Sequence, residues 1–71
     1  MSKEEFCKMV DEVVAEISEE KGADLEVINN GYAISVGRKG GGAMTEFEFR
    51  EMVPGVWMTP AQVEESIGYI L

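Results

Sequence analysis

The side chains of this chain that could do chemistry are fourteen carboxylates and one cysteine, with no histidine. Histidine is the commonest general base and the commonest transition-metal ligand, so its absence removes most catalytic and metal sites. Cys7 has no histidine to activate it and borders an apolar helical stripe, where a packing role is expected. The carboxylates form no Asp-rich calcium loop. We therefore expect no enzyme, no cofactor and no metal site.

The paired cations Arg38 and Lys39 lie in a glycine-rich segment, residues 37–42. Glycines beside cations can cradle a phosphate group. A P-loop, however, needs its lysine and hydroxyl residue directly before a helix, whereas this segment leads into a predicted strand. A mobile hairpin tip is the favoured interpretation, and a contact point for a partner is the alternative.

Acidic residues outnumber basic ones by fourteen to six, which gives a net charge of -8. Residues 1–24 carry eight of the acidic and three of the basic residues. The negative electrostatic potential around such a chain repels phosphates and attracts basic surfaces. We therefore expect a protein partner with a basic surface and no direct binding of nucleic acid.

The length of 71 residues predicts one small domain over 1–71, because so short a chain cannot build a second core. No apolar run approaches the ~20 residues of a membrane span, and residues 1–5 lack the apolar core of a signal peptide. A single cysteine fits a reducing compartment. We expect a cytoplasmic protein without a membrane contact.

Helical periodicity predicts a first helix over residues 3–21. Ser2 and Glu5 have the spacing of a capping box, and Gly22 suits the left-handed position after a helix. The apolar stripe consists of Phe6, Val10, Val13, Val14 and Ile17. The acidic back of the helix is expected to face solvent and consists of Glu4, Asp11, Glu12, Glu16 and Glu19.

Strand periodicity follows, and Asn30-Gly31 favours a two-residue type I′ turn that would place Val27 opposite Ile34. A third strand is predicted over residues 44–52, with Thr45, Phe47 and Phe49 facing inward. The outer side of the sheet would then carry Glu26, Ser35, Glu46, Glu48 and Arg50. This side is expected either to be simply solvated or to present an array of carboxylates to a partner.

Pro54-Gly55 predicts a type II turn, after which Thr59, Pro60 and Gln62 carry the signals of a helix start. The apolar stripe of this second helix runs to the last residue and consists of Val63, Ile67, Ile70 and Leu71. The loop before the helix holds Val53, Val56, Trp57 and Met58. Trp57 is expected to be either an interface anchor or a lid over the core.

The order α-β-β-β-α predicts an α+β fold, in which both helices pack on one face of a three-stranded antiparallel meander. This order and length resemble those of the double-stranded RNA-binding domain. That family holds phosphates with lysines at the start of its last helix, whereas this chain has Gln62, Glu64 and Glu65 there. The resemblance is one of shape and implies no shared residue or activity.

The leading hypothesis is a small acidic protein-binding module that occupies a basic or nucleic-acid-binding surface of a larger partner. Its expected partner-binding residues are Glu26, Arg38, Lys39, Glu46, Glu48 and Trp57. It is similar in style, though not in any motif, to phage-encoded inhibitors such as anti-CRISPR proteins. The alternative is a structural subunit or homodimer that buries its apolar C-terminus and the loop around Trp57.

Overall fold

The computed structural model describes residues 2–49 and 57–71, which form two helices and one sheet. Helix α1 spans Lys3–Lys21, strands β1, β2 and β3 span Leu25–Asn29, Ala33–Arg38 and Met44–Glu48, and helix α2 spans Pro60–Gly68. The sheet is antiparallel in the order β1-β2-β3. Both helices and one face of the sheet supply a single apolar core, so the predicted α+β architecture is confirmed.

Helix α1 has the predicted bounds because its end signals are local. The Ser2 hydroxyl accepts a hydrogen bond from the Glu5 N–H, and the Glu5 carboxylate accepts one from the Ser2 N–H, both at 3.1 Å. The Ser2 backbone N–H that donates to the Glu5 carboxylate lowers the pKa of this carboxyl most, and the nearby Ser2 hydroxyl lowers it further. At the other end Gly22 adopts φ 65°, the left-handed conformation that ends a helix.

Helix α2 also begins as predicted. Thr59 is the N-cap, its hydroxyl accepts the Gln62 N–H at 3.3 Å, and the Gln62 side chain accepts the Thr59 N–H at 2.9 Å. The helix stops at Gly68, but the expected stripe continues beyond it, since Val63, Ile67 and Ile70 are buried; only Leu71 differs, at 41% exposed. None of the helices in the described ranges is long and apolar enough to cross a membrane.

Phe6 of α1 is the centre of the core. Its ring is fully buried and lies edge-on to those of Phe47 and Phe49, at centroid distances of 6.3 and 6.4 Å. The ring of Trp57 covers it at 5.1 Å, in a tilted arrangement. Lys3 extends the cluster, since its ammonium lies 4.6 Å from the centroid of the Phe49 ring and donates to the Gly31 carbonyl. These contacts join the start of α1 to the sheet.

The register of the β1–β2 hairpin differs from the predicted one by two residues. Val27 lies opposite Val36 and not opposite Ile34. A shift of two residues leaves the same side chains on the core face, so Leu25, Ile34 and Val36 are buried as expected.

The turn of this hairpin explains the shift. A type I′ turn needs a positive φ at both central residues, yet Gly31 has φ 92° and Asn30 does not have a positive φ. The two asparagine side chains close the turn: Asn29 Oδ1 accepts the Gly31 N–H at 3.0 Å, and Asn30 Oδ1 accepts the Ala33 N–H at 3.1 Å. Such side-chain acceptors compete with the backbone turn that the Asn-Gly pair otherwise favours.

Strand β3 is shorter than predicted, since it ends at Glu48 and not at residue 52. The Phe49 N–H still donates to the Tyr32 carbonyl at 3.0 Å, but β2 begins only at Ala33. The predicted outward position of Arg50, the Pro54-Gly55 turn, and Val53 and Val56 lie outside the described residues.

Candidate binding surface

The helices pack on one face of the sheet, and the opposite face has no element over it in the described parts of the chain. We call this the outer face. The strand registers arrange it in rows across the sheet, because alternate side chains of each strand share a side. Its residues are Glu26 and Ile28 on β1, Ala33, Ser35 and Gly37 on β2, and Met44, Glu46 and Glu48 on β3.

The central strand contributes only small residues to the outer face. Ala33 is fully buried and Ser35 is 5% exposed, although neither α1 nor α2 packs on this side. Gly37 lies close to a side chain of β3, since a Cβ added to it would lie 3.2 Å from Met44 Cε. The outer face therefore forms a shallow trough along β2, with walls on β1 and β3 about 10 Å apart.

The walls of this trough combine acidic and apolar side chains. Glu26 and Glu46 are exposed, and Glu48 is half-buried. Ile28 and Met44 are 45% and 54% exposed, large fractions for apolar side chains. The Ser35 hydroxyl donates to Glu46 Oε2 at 3.3 Å, which directs one carboxylate towards the floor of the trough. The outer face can thus offer both charge and apolar contact area to a partner.

Three of the six expected partner-binding residues lie on the outer face, namely Glu26, Glu46 and Glu48. The cations do not join them. Arg38 alternates to the other side of β2 and lines a cleft near the ends of the helices, together with Lys21 and Leu71. Lys39 follows the strand, where its backbone N–H donates to the Asp24 carbonyl at 3.0 Å.

Trp57 is placed as a lid and not as part of the outer face. It is half-buried and packs against the core through the ring of Phe6. Its position beside Phe6 gives the indole a structural role, so the acidic outer face and the tryptophan belong to opposite sides of the sheet.

Ile28 and Met44 were not among the expected binding residues, and the trough itself was not foreseen. A signal for it is present in β2, where large apolar residues alternate with Ala33, Ser35 and Gly37. When every second side chain of a central strand is small, the side chains of the two neighbouring strands can lean inward, or a partner can approach the sheet.

Cys7 is half-buried beside β1, and Asn29 Nδ2 donates to its sulfur at 3.5 Å. Burial raises the pKa of the Cys7 thiol, and the negative charge of Asp11 raises it further. The thiol is therefore protonated near neutral pH and is a poor nucleophile. Within residues 2–49 and 57–71, no group of three or more His, Cys, Asp or Glu side chains is arranged to hold a metal ion.

Alkylation of Cys7 by iodoacetamide at pH 8 is expected to be slower in the folded protein than in the urea-unfolded chain. The raised pKa lowers the thiolate fraction, so the rate should keep increasing at pH values above those where an ordinary cysteine levels off. Asp11→Asn should speed the reaction of the folded protein only. Equal rates for the folded and unfolded chains would contradict this account of the thiol.

Comparison of the chain with known protein families, with curated proteins and with solved structures finds no match.

Proposed function

We propose that this chain is an acidic protein-binding module whose outer face occupies a basic surface of a larger partner and thereby inhibits it. The observation that carries the proposal is the trough that no described element covers, which has Glu26 on one wall and Glu46 and Glu48 on the other. A solvated sheet face needs no exposed apolar pair beside its charges, yet Ile28 and Met44 lie there about half exposed.

Charge supplies the first step of this mechanism. The net charge of -8 steers the chain towards a positive patch, and carboxylates on a stiff sheet hold fixed positions there. Glu46 and Glu48 are two residues apart on one strand, so their attachment points are about 6.6 Å apart. A row of negative charges at such intervals presents to a basic surface what a nucleic-acid backbone presents, so the partner would be a nucleic-acid-binding protein.

Apolar contact supplies the second step. Electrostatic steering raises the association rate, whereas burial of apolar side chains slows dissociation. Ile28 on β1 and Met44 on β3 are the exposed apolar side chains of the trough walls. A partner that bound through charge alone would leave both in water, so we expect apolar atoms among the basic residues of its surface. Inhibitors encoded by phage, such as anti-CRISPR proteins, would fit this mode of action.

The test compares two charge-reversal variants with the same change in net charge. Glu26→Lys/Glu46→Lys alters the outer face, and Glu12→Lys/Glu16→Lys alters the exposed back of α1. Immobilised protein is incubated with an extract of the source cells at about 50 and 300 mM salt, a range over which screening of exposed charges increases strongly. The captured proteins are identified, and their nucleic-acid binding is measured with and without this chain.

The wild type is expected to retain a protein with a basic surface, to release it at the higher salt and to compete with its nucleic acid. The outer-face variant should retain at least ten times less of this partner protein than the α1 variant retains. Equal losses for the two variants would mean that only net charge matters. Capture that ignores salt, or a partner that still binds nucleic acid in the complex, would also contradict the proposal.

A further inference from the structure

The edge of β1 that faces away from β2 pairs with no other strand in the described residues. Two hydrogen bonds set the ladder pattern: the Asn30 N–H donates to the Ala33 carbonyl at 3.2 Å and the Lys39 N–H to the Asp24 carbonyl at 3.0 Å. Even-numbered residues of β1 therefore bond to β2, since the pattern alternates in an antiparallel pair. The N–H and C=O groups of Leu25, Val27 and Asn29 point away from the sheet, and no backbone group in residues 2–49 and 57–71 pairs with them.

This edge has little protection against strand pairing. Edge strands are often blocked by a lysine, a proline or a bulge, and β1 has none of these; its one charged side chain is Glu26. Strand β1 reads Leu-Glu-Val-Ile-Asn, and its register with β2 runs without interruption from Leu25 to Asn29. The outward backbone groups of Leu25, Val27 and Asn29 can thus accept another strand.

The charges beside the edge favour a second copy of this chain over a basic partner. The cleft between α1 and the Asn29 end of β1 is lined by Lys3, Glu4, Cys7, Lys8, Asp11 and Asn29, so two cations balance two anions there. The rest of α1 carries Glu5, Glu12, Glu16, Glu19 and Glu20 against Lys21 alone. On a molecule of net charge -8, this balanced cleft lowers the repulsion between two copies that meet at β1, where Asp24 and Glu26 are the remaining acids.

We propose that two copies pair antiparallel through β1 about a twofold axis at Val27. Val27 then faces Val27 of the second copy, and Leu25 faces its Asn29, so all outward groups bond in about six hydrogen bonds. Two three-stranded sheets become one sheet of six strands. Glu26 lies beside Ile28 of the second copy, and the outer face doubles in width. This inference goes beyond the proposed function and does not depend on it, because a monomer could bind a basic partner equally well.

The dependence on salt distinguishes dimerisation from binding to a basic partner. Screening weakens the attraction to a basic partner, but it also weakens the repulsion between two copies of charge -8, so dimerisation should increase with salt. Sedimentation equilibrium at about 100 µM protein should show the 7.8 kDa monomer at low salt, roughly 20 mM, and about twice that mass near 300 mM. A monomer at both salt concentrations would overturn the pairing. The capture experiment at low salt tests the partner proposal on the monomer.

Cysteine cross-linking tests the register itself. Glu26→Cys and Ile28→Cys are made as separate proteins, each with Cys7→Ser, and mixed under mild oxidation. Residues 26 and 28 of different copies form a non-hydrogen-bonded pair, whose Cα distance of about 4.5 Å permits a disulfide. The mixture should give at least five times more covalent dimer than either protein alone. A mixture of Ile28→Cys with Glu12→Cys, on the back of α1, is the control; equal product from this mixture would overturn the proposed register.

Discussion

Replacement of Phe6 by alanine is expected to remove most of the stability of this domain. Phe6 is fully buried and its ring contacts those of Phe47, Phe49 and Trp57, so its loss leaves a cavity between the start of α1, the sheet and the Trp57 ring. Truncation of a core phenylalanine costs about 3–5 kcal/mol. At about 0.05–0.15 kcal/mol per residue, a 71-residue domain has only some 4–10 kcal/mol of unfolding free energy.

Guanidinium titration measures this loss, with Trp57 fluorescence for the core and far-UV circular dichroism for the helices. Tyr69→Ala is the matched control, because Tyr69 is an aromatic residue that is 83% exposed, and its replacement should change the free energy of unfolding by less than about 0.5 kcal/mol. A cost below about 1 kcal/mol for Phe6→Ala would mean that the aromatic cluster is not the centre of the core.

Proline is expected to destabilise the fold much more at Ile28 than at the adjacent Val27. The Ile28 N–H points into the ladder with β2, so Ile28→Pro removes a bond and leaves the Ser35 carbonyl without its donor. The Val27 N–H points to the free edge, where proline is tolerated. We expect Ile28→Pro to cost about 2–3 kcal/mol more than Val27→Pro once side-chain losses are subtracted.

Val27→Ala and Ile28→Ala measure the cost of losing each side chain alone, because alanine keeps the backbone N–H. The four variants are compared by urea denaturation at low salt, where the chain is expected to be monomeric. The type I′ register expected from Asn30-Gly31 would place the Val27 N–H in the ladder and the Ile28 N–H outside it. A larger proline effect at Val27 than at Ile28 would therefore contradict the observed register.

Local signals predicted the helices well. The bounds of α1 and the start of α2 depend on capping boxes and on a glycine, whose geometry involves residues three or four apart. The hairpin register was wrong for a related reason. Asn29 and Asn30 can each accept a backbone hydrogen bond, and the preference of the Asn-Gly dipeptide does not include this competition.

The acidic residues of the candidate surface were predicted because alternation along a strand assigns sides even when the register slips by two. Glu26, Glu46 and Glu48 accordingly lie together. The trough and the lid position of Trp57 depend on which strands are neighbours and on what packs above Phe6. These are contacts between distant parts of the chain, so the small residues of β2 only hinted at the trough, and the sequence left the anchor and lid positions of Trp57 both open.

The β2–β3 connection has a consequence for how mutational data on this protein should be understood. Gly40, Gly41 and Gly42 adopt φ values of 89°, 103° and 115°, and a side chain added at any of them would meet nothing within 4 Å. Substitution is therefore strained although there is ample space for it. A saturation scan would record three adjacent positions that do not tolerate substitution, a pattern that usually indicates a ligand site. Here the cause would be the positive φ of the backbone, which residues other than glycine adopt only with strain. Inserted residues should be accepted there more readily than replaced ones.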